Sequence, residues 1–308
     1  MLSLQKKIMD IFKGQNILEF SDKFKTDTNC YEYLSELKWA NGYKCSKCGG
    51  LKYTVEKDGK MSRQCHKCHH IESPSSGTLF HKIKFGMRKA FLLMFEMTAT
   101  TKGLSASQAA KRYSITRKTS GLFMHKVRIA MKSSETMPIN TTVQVDEFVF
   151  GGKEDLKQGR STDVKKKKLV VAVELSENKK VKRVYFDRLD DFSSNSLKNI
   201  FEKHISTDAQ VYTDKWSGYK PLMSTYSINA QQSNNGSSMK QIHIIIHQVK
   251  SWLRSVFSWV HKDHIQKYLD EYSFRINRSI YKETIFHKLA SRMMEHEKTD
   301  FKAIKIRC

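Results

Sequence analysis

The spacing of hydrophobic residues changes along the chain from a helical pattern to a strand pattern. Residues 1–40 place apolar side chains among charges at helical spacing, and residues 85–101 form a long, apolar-rich helical segment. After the linker-like stretch 134–141, short apolar or alternating runs follow. These runs predict strands Val143–Phe150, Leu169–Leu175, Val181–Phe186 and Val211–Thr213 and helices Asn195–His204, 241–259 and 262–276. This order indicates an α/β domain that follows a mainly helical region.

The chain is strongly basic. It carries 55 Lys and Arg against 31 Asp and Glu, which gives a net charge of +24 over 308 residues. This excess favours a polyanionic partner, and we expect nucleic acid, because basic side chains release counterions when they neutralise phosphates. A membrane surface is the competing partner, but the charge is spread along the whole chain and is not confined to one amphipathic helix.

The sequence favours a protein of the reducing cytoplasm. No apolar run approaches the ~20 residues of a membrane span, and the charged N-terminus lacks a signal-peptide core. In that compartment we expect the six cysteines to be thiols or metal ligands and not disulfides. Cys30 and Cys308 have no spacing pattern and are predicted to be plain thiols.

Four cysteines are paired at the spacing of a zinc ribbon. Cys45-x-x-Cys48 and Cys65-x-x-Cys68 are separated by sixteen residues, and glycines follow Cys48. Each pair can bind one ion from a tight turn, and two pairs complete a tetrahedral, structural zinc site. A redox Cys-x-x-Cys pair is the alternative, but it would not need the second pair. The neighbouring histidines are predicted to be surface residues or DNA-phosphate contacts: His66, His69 and His70.

Residues 103–131 have the pattern of a helix-turn-helix. Ser105 can cap a helix over Ala106–Tyr113, and Thr116 can cap a second helix after a short turn. The second helix of such a unit enters the major groove of DNA with its N-terminal residues, so Arg117 and Lys118 are the candidate DNA contacts. The alternative is an ordinary helical pair in a bundle.

Two aspartates follow apolar strand segments. Asp146 lies in TTVQVDEFVFGG, and Asp214 ends the strand of VYTDKWSGY. Carboxylates at the ends of neighbouring strands can share Mg²⁺ or Mn²⁺, and such ions assist phosphodiester chemistry. A turn or capping role is the alternative for a single strand-end aspartate. Glu147 should point to the opposite side of its strand from Asp146.

Most of the chain, from about residue 30 to 280, resembles bacterial insertion-sequence DDE transposases that combine a zinc ribbon with an ISXO2-like transposase domain. The resemblance rests on the cysteine pairs, on VDEFVFGGK from Val145, on TDKWSGY from Thr213, and on a long stretch from His243 to Ser279. It implies an RNase-H-like mixed sheet with a D-D-E/N/H-K set of catalytic residues. It also implies a homo-oligomer that pairs two transposon ends, with terminal inverted repeats and target DNA as partners, at the bacterial nucleoid.

The third catalytic position differs from the usual glutamate, because no Glu occurs between Glu202 and Glu271. In the family this residue precedes a lysine by seven positions, which points to His243 before Lys250. The two share a helix face, with His247 between them as the alternative. Histidine is better suited to Mn²⁺ or to orienting water than to Mg²⁺. Lys250 would hold the DNA backbone near the scissile phosphate.

The predicted organisation is multidomain α/β. Its segments are a helical N-terminal segment (1–40), a zinc ribbon (41–80), a helix-turn-helix region (81–133), a linker (134–142), an RNase-H-like catalytic domain (143–285) and a C-terminal tail (286–308). Further DNA contacts are predicted at Arg128, Arg254 and Arg278, whereas Trp216, Trp252 and Trp259 are predicted to be core residues.

The expected activity is metal-dependent hydrolysis at insertion-sequence ends followed by strand transfer. Two alternatives remain: an inactive, transposase-derived DNA-binding regulator, and a nuclease without strand transfer.

Overall fold

The computed structural model describes residues 9–99, 102–151, 166–232 and 238–299. The chain forms two compact units. One contains residues 1–131 together with 280–308, and the other contains residues 132–279. Among the described residues, every helix is too short or too polar to cross a membrane.

The first unit contains six α-helices and a small sheet within the described residues. They are α1 (Ile17–Lys23), α2 (Asp27–Lys38), β1 (Tyr53–Val55), β2 (Arg63–Cys65), β3 (Ile71–Glu72), α3 (Met87–Ala99), α4 (Ala106–Tyr113), α5 (Arg117–Met131) and α9 (Ile285–Glu295). The three strands are antiparallel in the order β1-β2-β3. Aromatic rings fill the core of this unit; Phe20, for example, stacks on Phe95 with ring centroids 4.3 Å apart.

The placement of residues 286–308 in a tail is wrong for the described part of that segment. Helix α9 buries Phe286, Leu289 and Met293 in the first unit. The Phe286 ring lies 4.8 Å from that of Phe20. These residues recur every three to four positions, which is the spacing of a helix face that packs on a core.

Helices α4 and α5 begin and end as the sequence predicts. The Ser105 hydroxyl accepts the N–H of Gln108, and the Gln108 side chain bonds back to Ser105, which forms a capping box. Ser114 ends α4 with a positive φ of 50°. Thr116 Oγ1 then accepts the N–H of Thr119 at the start of α5.

The second unit is built on a five-stranded sheet in the order β6-β5-β4-β7-β8. Its elements are β4 (Thr142–Phe150), β5 (Lys167–Leu175), β6 (Val181–Leu189), α6 (Ser194–His204), β7 (Gln210–Asp214), a 3₁₀ helix (Ser217–Ser224), β8 (Ser227–Gln231), α7 (Lys240–Val256) and α8 (Ile265–Asn277). Strands β4, β5 and β6 are antiparallel neighbours, whereas β7 and β8 run parallel to β4. This mixed sheet is typical of an RNase-H-like transposase domain.

Each face of this sheet packs against a separate apolar cluster. Helices α7 and α8 bury Ile242, Val249 and Leu269 on one face together with Phe148. Helix α6 and the 3₁₀ helix cover the other face, where Val145 belongs to the cluster. Because strand side chains alternate, Gln144, Asp146 and Phe148 share the α7 face, and Val143, Val145 and Glu147 share the α6 face.

The outer edge of β6 is paired by amide side chains from α8. The Asn277 side chain accepts the N–H of Val184 at 2.7 Å and donates to its carbonyl at 2.9 Å. Gln266 donates to the Phe186 carbonyl and accepts the N–H of Arg188, both at 2.8 Å. Helix α8 thus satisfies backbone groups that an edge strand would otherwise expose.

Candidate active site and zinc-ribbon site

Asp146 and Asp214 lie on adjacent parallel strands and on the same face of the sheet. The β4–β7 register pairs Val143 with Val211 and Gln144 with Tyr212. Extended by two residues beyond the last observed pair, this register places Asp146 level with Asp214. Tyr212 packs with the apolar cluster under α7, so Asp214, two residues later, is directed to that face as well. The sheet therefore brings the two predicted acids together.

His243 lies beside Asp146, with its Nδ1 atom 3.8 Å from Asp146 Oδ2. Burial lowers the pKa of the His243 imidazole, so the ring is neutral at neutral pH. Its Nε2 atom is buried and has no hydrogen-bond partner among the described residues. A neutral imidazole can ligate a metal ion or accept a proton.

The alternative histidine is placed differently. His247, one turn further along α7, is exposed, and the contact with Asp146 is made by His243. Lys250 is half-buried, with its Nζ atom 5.3 Å from the centroid of the Phe148 ring. Burial and the charge of Arg254 lower the pKa of Lys250, and Asp146 opposes that change.

The segment after Asp214 is held tightly by its own side chains. Asp214 Oδ1 accepts the N–H of Trp216 at 3.0 Å, and the Trp216 indole N–H donates to the Phe192 carbonyl at 2.9 Å. A Cβ atom at Gly218 would lie 2.6 Å from Trp216 Nε1, so this position has no room for a side chain. The sequence TDKWSGY therefore fixes the turn that carries Asp214.

Glu147 faces away from Asp146, as predicted, and accepts a hydrogen bond from the Tyr219 hydroxyl at 2.5 Å. Tyr219 is fully buried, and this burial, with the charges of Glu147, Asp146 and Asp214, raises its pKa well above the usual value. Sequence reasoning quoted Tyr219 within its motif but gave it no role. The signal in the sequence that could have indicated a role is its position, since this large polar side chain lies five residues after Asp214.

The acidic site fits a divalent cation held partly by water. Mg²⁺ is commonly bound through one or two carboxylates and keeps several waters. The candidate ligand atoms of Asp146, Asp214 and His243 lie farther apart than the ligand atoms of a closed metal site. Among the described residues, only the four ribbon cysteines bring three or more metal-binding atoms within 4.8 Å of one another.

The four ribbon sulfurs have the geometry of a zinc site. Cys45 Sγ lies 3.6 Å from Cys68 Sγ, and Cys48 Sγ lies 3.6 Å from Cys65 Sγ. A tetrahedral zinc ion with bonds of about 2.3 Å would hold its sulfurs about 3.8 Å apart. The four residues therefore fit one zinc ion without rearrangement.

The backbone around the sulfurs stabilises thiolates. Burial disfavours the Cys45 thiolate, but the N–H groups of Cys48 and Lys47 donate to its sulfur, and the net effect lowers its pKa to about 6. A Cβ atom at Gly50 would stand 3.0 Å from Cys65 Sγ, so only glycine lets the backbone approach this close. Thiolate is the form that binds zinc.

Two family models match the chain. Residues 138–277 match the ISXO2-like transposase domain, and residues 25–71 match the transposase zinc-ribbon domain. Together they cover more than half of the chain. The chain therefore carries an ISXO2-like transposase domain preceded by a transposase zinc-ribbon domain. These matches confirm the predicted zinc ribbon and ISXO2-like transposase domain, and the family of that domain implies a polynucleotidyl transferase-type enzyme.

Two solved structures are similar to this transposase in part. A crystal structure of the Mos1 mariner paired end complex with Mn has 10% sequence identity and a TM-score of 0.27, over 63% of this chain and 73% of that chain. The Mos1 transposase paired-end complex with left transposon end has 11% identity and a TM-score of 0.20, over 66% and 78%. The search of curated proteins returned no match.

The predicted DNA contacts of the transposase differ in accessibility. Arg117, Lys118 and Arg254 are exposed. Arg278 is half-buried, with its guanidinium 4.0 Å from the centroid of the Phe274 ring. Arg128 is only 2% exposed, so the structure contradicts its assignment to DNA contact. Its position in α5 turns it into the helical core, although its charge alone suggested the surface.

The three tryptophans also differ. Trp252 is buried in the cluster under α7, and Trp216 is partly buried in the cluster on the opposite face. Trp259 is 67% exposed, so its prediction as a core residue is wrong. It follows the end of α7 in the segment that leads to α8, where no apolar layer covers it within the described residues.

Proposed function

We propose that this transposase hydrolyses a phosphodiester bond at the ends of an insertion sequence and then joins the freed 3′ end to target DNA. The observation that carries the proposal is the convergence of Asp146, Asp214 and His243 on one face of the sheet, with His243 3.8 Å from Asp146. A bound Mg²⁺ or Mn²⁺ supplies charge stabilisation to the reacting phosphate.

Each site residue receives a role from its chemistry. Asp146 and Asp214 would hold the metal through carboxylate oxygens. The neutral His243 would either be a further ligand of the metal or accept a proton from the attacking water. In the second step the attacking group is the 3′-hydroxyl of the cut strand, so the same residues serve hydrolysis and joining.

The DNA backbone is held along α7. His243, Lys250 and Arg254 are spaced seven and four residues apart on this helix, a spacing that keeps them on one face. With a rise of about 1.5 Å per residue, the three positions extend roughly 16 Å from the acidic site. Lys250 contacts the phosphates nearest the reaction, and Arg254 contacts the backbone beyond it.

The first unit recognises the DNA ends. Arg117 and Lys118 lie at the exposed start of α5, the part of such a helix that enters the major groove. The zinc ribbon supplies further contacts, and Arg278, at the end of α8 in the second unit, is a further contact to DNA. The partners are terminal inverted repeats and target DNA, in a homo-oligomer that pairs two ends at the bacterial nucleoid.

Single-turnover cleavage of a duplex carrying the ends of the element that encodes the protein tests this proposal. We expect cutting with Mg²⁺ or Mn²⁺ and loss of cutting in Asp146→Ala, Asp214→Ala and His243→Ala, with DNA binding retained. His247→Ala is the matched control, because His247 is an exposed histidine one turn away on the same helix.

The alternatives give different outcomes in the same experiment. Binding without cutting in either metal would favour a transposase-derived regulator. Cutting without joining to a target plasmid would favour a nuclease. Loss of activity in His247→Ala with full activity in His243→Ala would move the third position to His247.

A further inference from the structure

We propose that Gln144 is a positioning residue that caps helix α7 from the neighbouring strand and so sets His243 beside Asp146. The inference rests on the proposed function of His243. It concerns a residue that is neither acidic nor basic and that sequence reasoning did not single out.

Helix α7 begins without a cap of its own. Met239 stands at its N-cap position and makes no side-chain capping bond. The first backbone bond of the helix, from His243 N–H to the Met239 carbonyl, is long at 3.4 Å. The first N–H groups of any helix lack partners within it and need one from elsewhere.

Gln144 supplies such a partner. Its Oε1 atom accepts the N–H of Ile242, the third residue of α7, at 3.1 Å. This is the bond that a serine or aspartate at the N-cap would ordinarily make, but here it comes from strand β4. The start of α7 is therefore fixed to the sheet.

The capping bond and the candidate active site share the same two elements. Gln144 and Asp146 are two residues apart on one face of β4. They contact successive residues of α7: Gln144 binds Ile242, and Asp146 lies beside His243. A helix turns about 100° per residue, from roughly 3.6 residues per turn. A shift of α7 by a single residue would thus carry His243 away from Asp146.

The environment of Gln144 also argues for a specific role. Its side chain is only 7% exposed and faces the apolar layer under α7, which includes Ile242 and Phe148. Burying an amide here costs free energy unless it is hydrogen-bonded. An apolar residue would satisfy packing alone, whereas glutamine also fixes the start of the helix.

The test compares Gln144→Met with Gln266→Met in single-turnover end cleavage. Both variants replace a glutamine whose side chain bonds the backbone of another element in the same unit: Gln144 of β4 bonds α7, whereas Gln266 of α8 bonds the outer edge of β6. We expect Gln144→Met to lower the cleavage rate on the order of 100-fold, since a small misplacement of a catalytic group can cost that much. DNA binding should stay within about twofold, and Gln266→Met should cleave at close to the wild-type rate below its melting temperature.

A double-mutant cycle with His243→Glu shows whether Gln144 acts through position 243. If it does, the effects of Gln144→Met and of the change at 243 will not be additive. Additive effects, or an equal loss of rate in Gln266→Met, would overturn the proposal in favour of general stabilisation.

A second readout does not need activity. In metal-free, histidine-labelled protein, with the His243 signal assigned from His243→Ala, Gln144→Met should shift the ring signal of His243, because the ring moves from its place 3.8 Å from Asp146 Oδ2. Gln266→Met should leave it unchanged. An unchanged His243 signal in Gln144→Met refutes the positioning role. If the wild type never cleaves but Gln144→Met still changes the His243 signal, the proposed function alone is refuted.

Discussion

The Tyr219 hydroxyl donates to Glu147 Oε2 across 2.5 Å, on the face of the sheet opposite the candidate active site. Glu147 follows Asp146 in β4, and Tyr219 lies five residues after Asp214 in the 3₁₀ helix. One hydrogen bond therefore joins the two segments that carry the acids. Together with the Gln144 cap on the other face, it connects β4 to the elements that hold Asp214 and His243.

Tyr219→Phe should destabilise the second unit by about 1–3 kcal/mol, because a carboxylate in a partly buried position loses its hydroxyl partner. Chemical denaturation measures the change. Tyr226→Phe is the control. Tyr226 belongs to the same apolar cluster, where it packs against Phe201, but it is more exposed than Tyr219. An equal loss in both variants would show that the Glu147 bond contributes nothing specific.

Local sequence signals predicted the elements around the site. The strand over residues 143–150 alternates in polarity, and its observed bounds are Thr142–Phe150. The caps at Ser105 and Thr116 give the starts of α4 and α5 because their hydroxyls bond within three residues. The cysteine spacing gives the zinc ribbon for the same reason, since each metal-binding pair is local in sequence.

The remaining features depend on distant contacts. Strand β8 is short and largely polar, and it forms by pairing with β7 at the edge of the sheet. Arg128 carries a charge that suggests the surface, yet the packing of α5 buries it. The Gln144 bond to Ile242 spans 98 positions. Part of the basic run near Lys165–Lys168 lies outside the described residues, and so does Cys308.

End cleavage should fall as the pH is lowered through the pKa of His243. Burial lowers this pKa below its ordinary value of about 6.5, so the neutral, active ring persists to mildly acidic pH and is lost below it. A single-turnover pH profile measures the inflection. His243→Glu should move the inflection to lower pH and shift the metal preference from Mn²⁺ towards Mg²⁺. If His243→Glu has the same pH profile as the wild type, His243 takes no part in the reaction.

Arg117→Ala and Arg128→Ala should separate DNA binding from folding. Arg117 is exposed at the start of α5, so its loss should weaken binding and reduce the salt dependence by about one phosphate contact. Arg128 is buried in the same helix, so its loss should lower the melting temperature. Binding titrations at several salt concentrations and thermal melts check both. A lower salt dependence in Arg128→Ala with an unchanged melt would restore its DNA role.

Zinc should be held by the ribbon cysteines alone. Cys65→Ser should release the metal and lose the structure of β1, β2 and β3, because a ribbon this small depends on its ion. Elemental analysis and circular dichroism measure the two effects. Cys30→Ala is the control, since Cys30 is a buried thiol outside the ribbon cluster. Equal zinc contents in wild type and Cys65→Ser would contradict the assignment.

Asp270→Asn should stabilise the protein above pH 6. Burial, with a smaller contribution from Asp187, raises the pKa of Asp270 to about 6, although a hydrogen bond from Gln266 opposes the change. A carboxyl group whose pKa is higher in the folded than in the unfolded state contributes most to stability below its unfolded pKa, near 4. That contribution is lost as the pH rises through its folded pKa, about 6. The asparagine never ionises and can still accept the Gln266 bond.

The expected gain at pH 8 is on the order of 2 kcal/mol and should vanish near pH 4. Denaturation at both pH values measures it. Asp263→Asn provides the comparison, because this exposed aspartate pairs loosely with Arg188 at 3.6 Å and should change stability little at either pH. If Asp270→Asn gives no gain at pH 8, the buried carboxyl is not held in the protonated form, and α8 tolerates its charge.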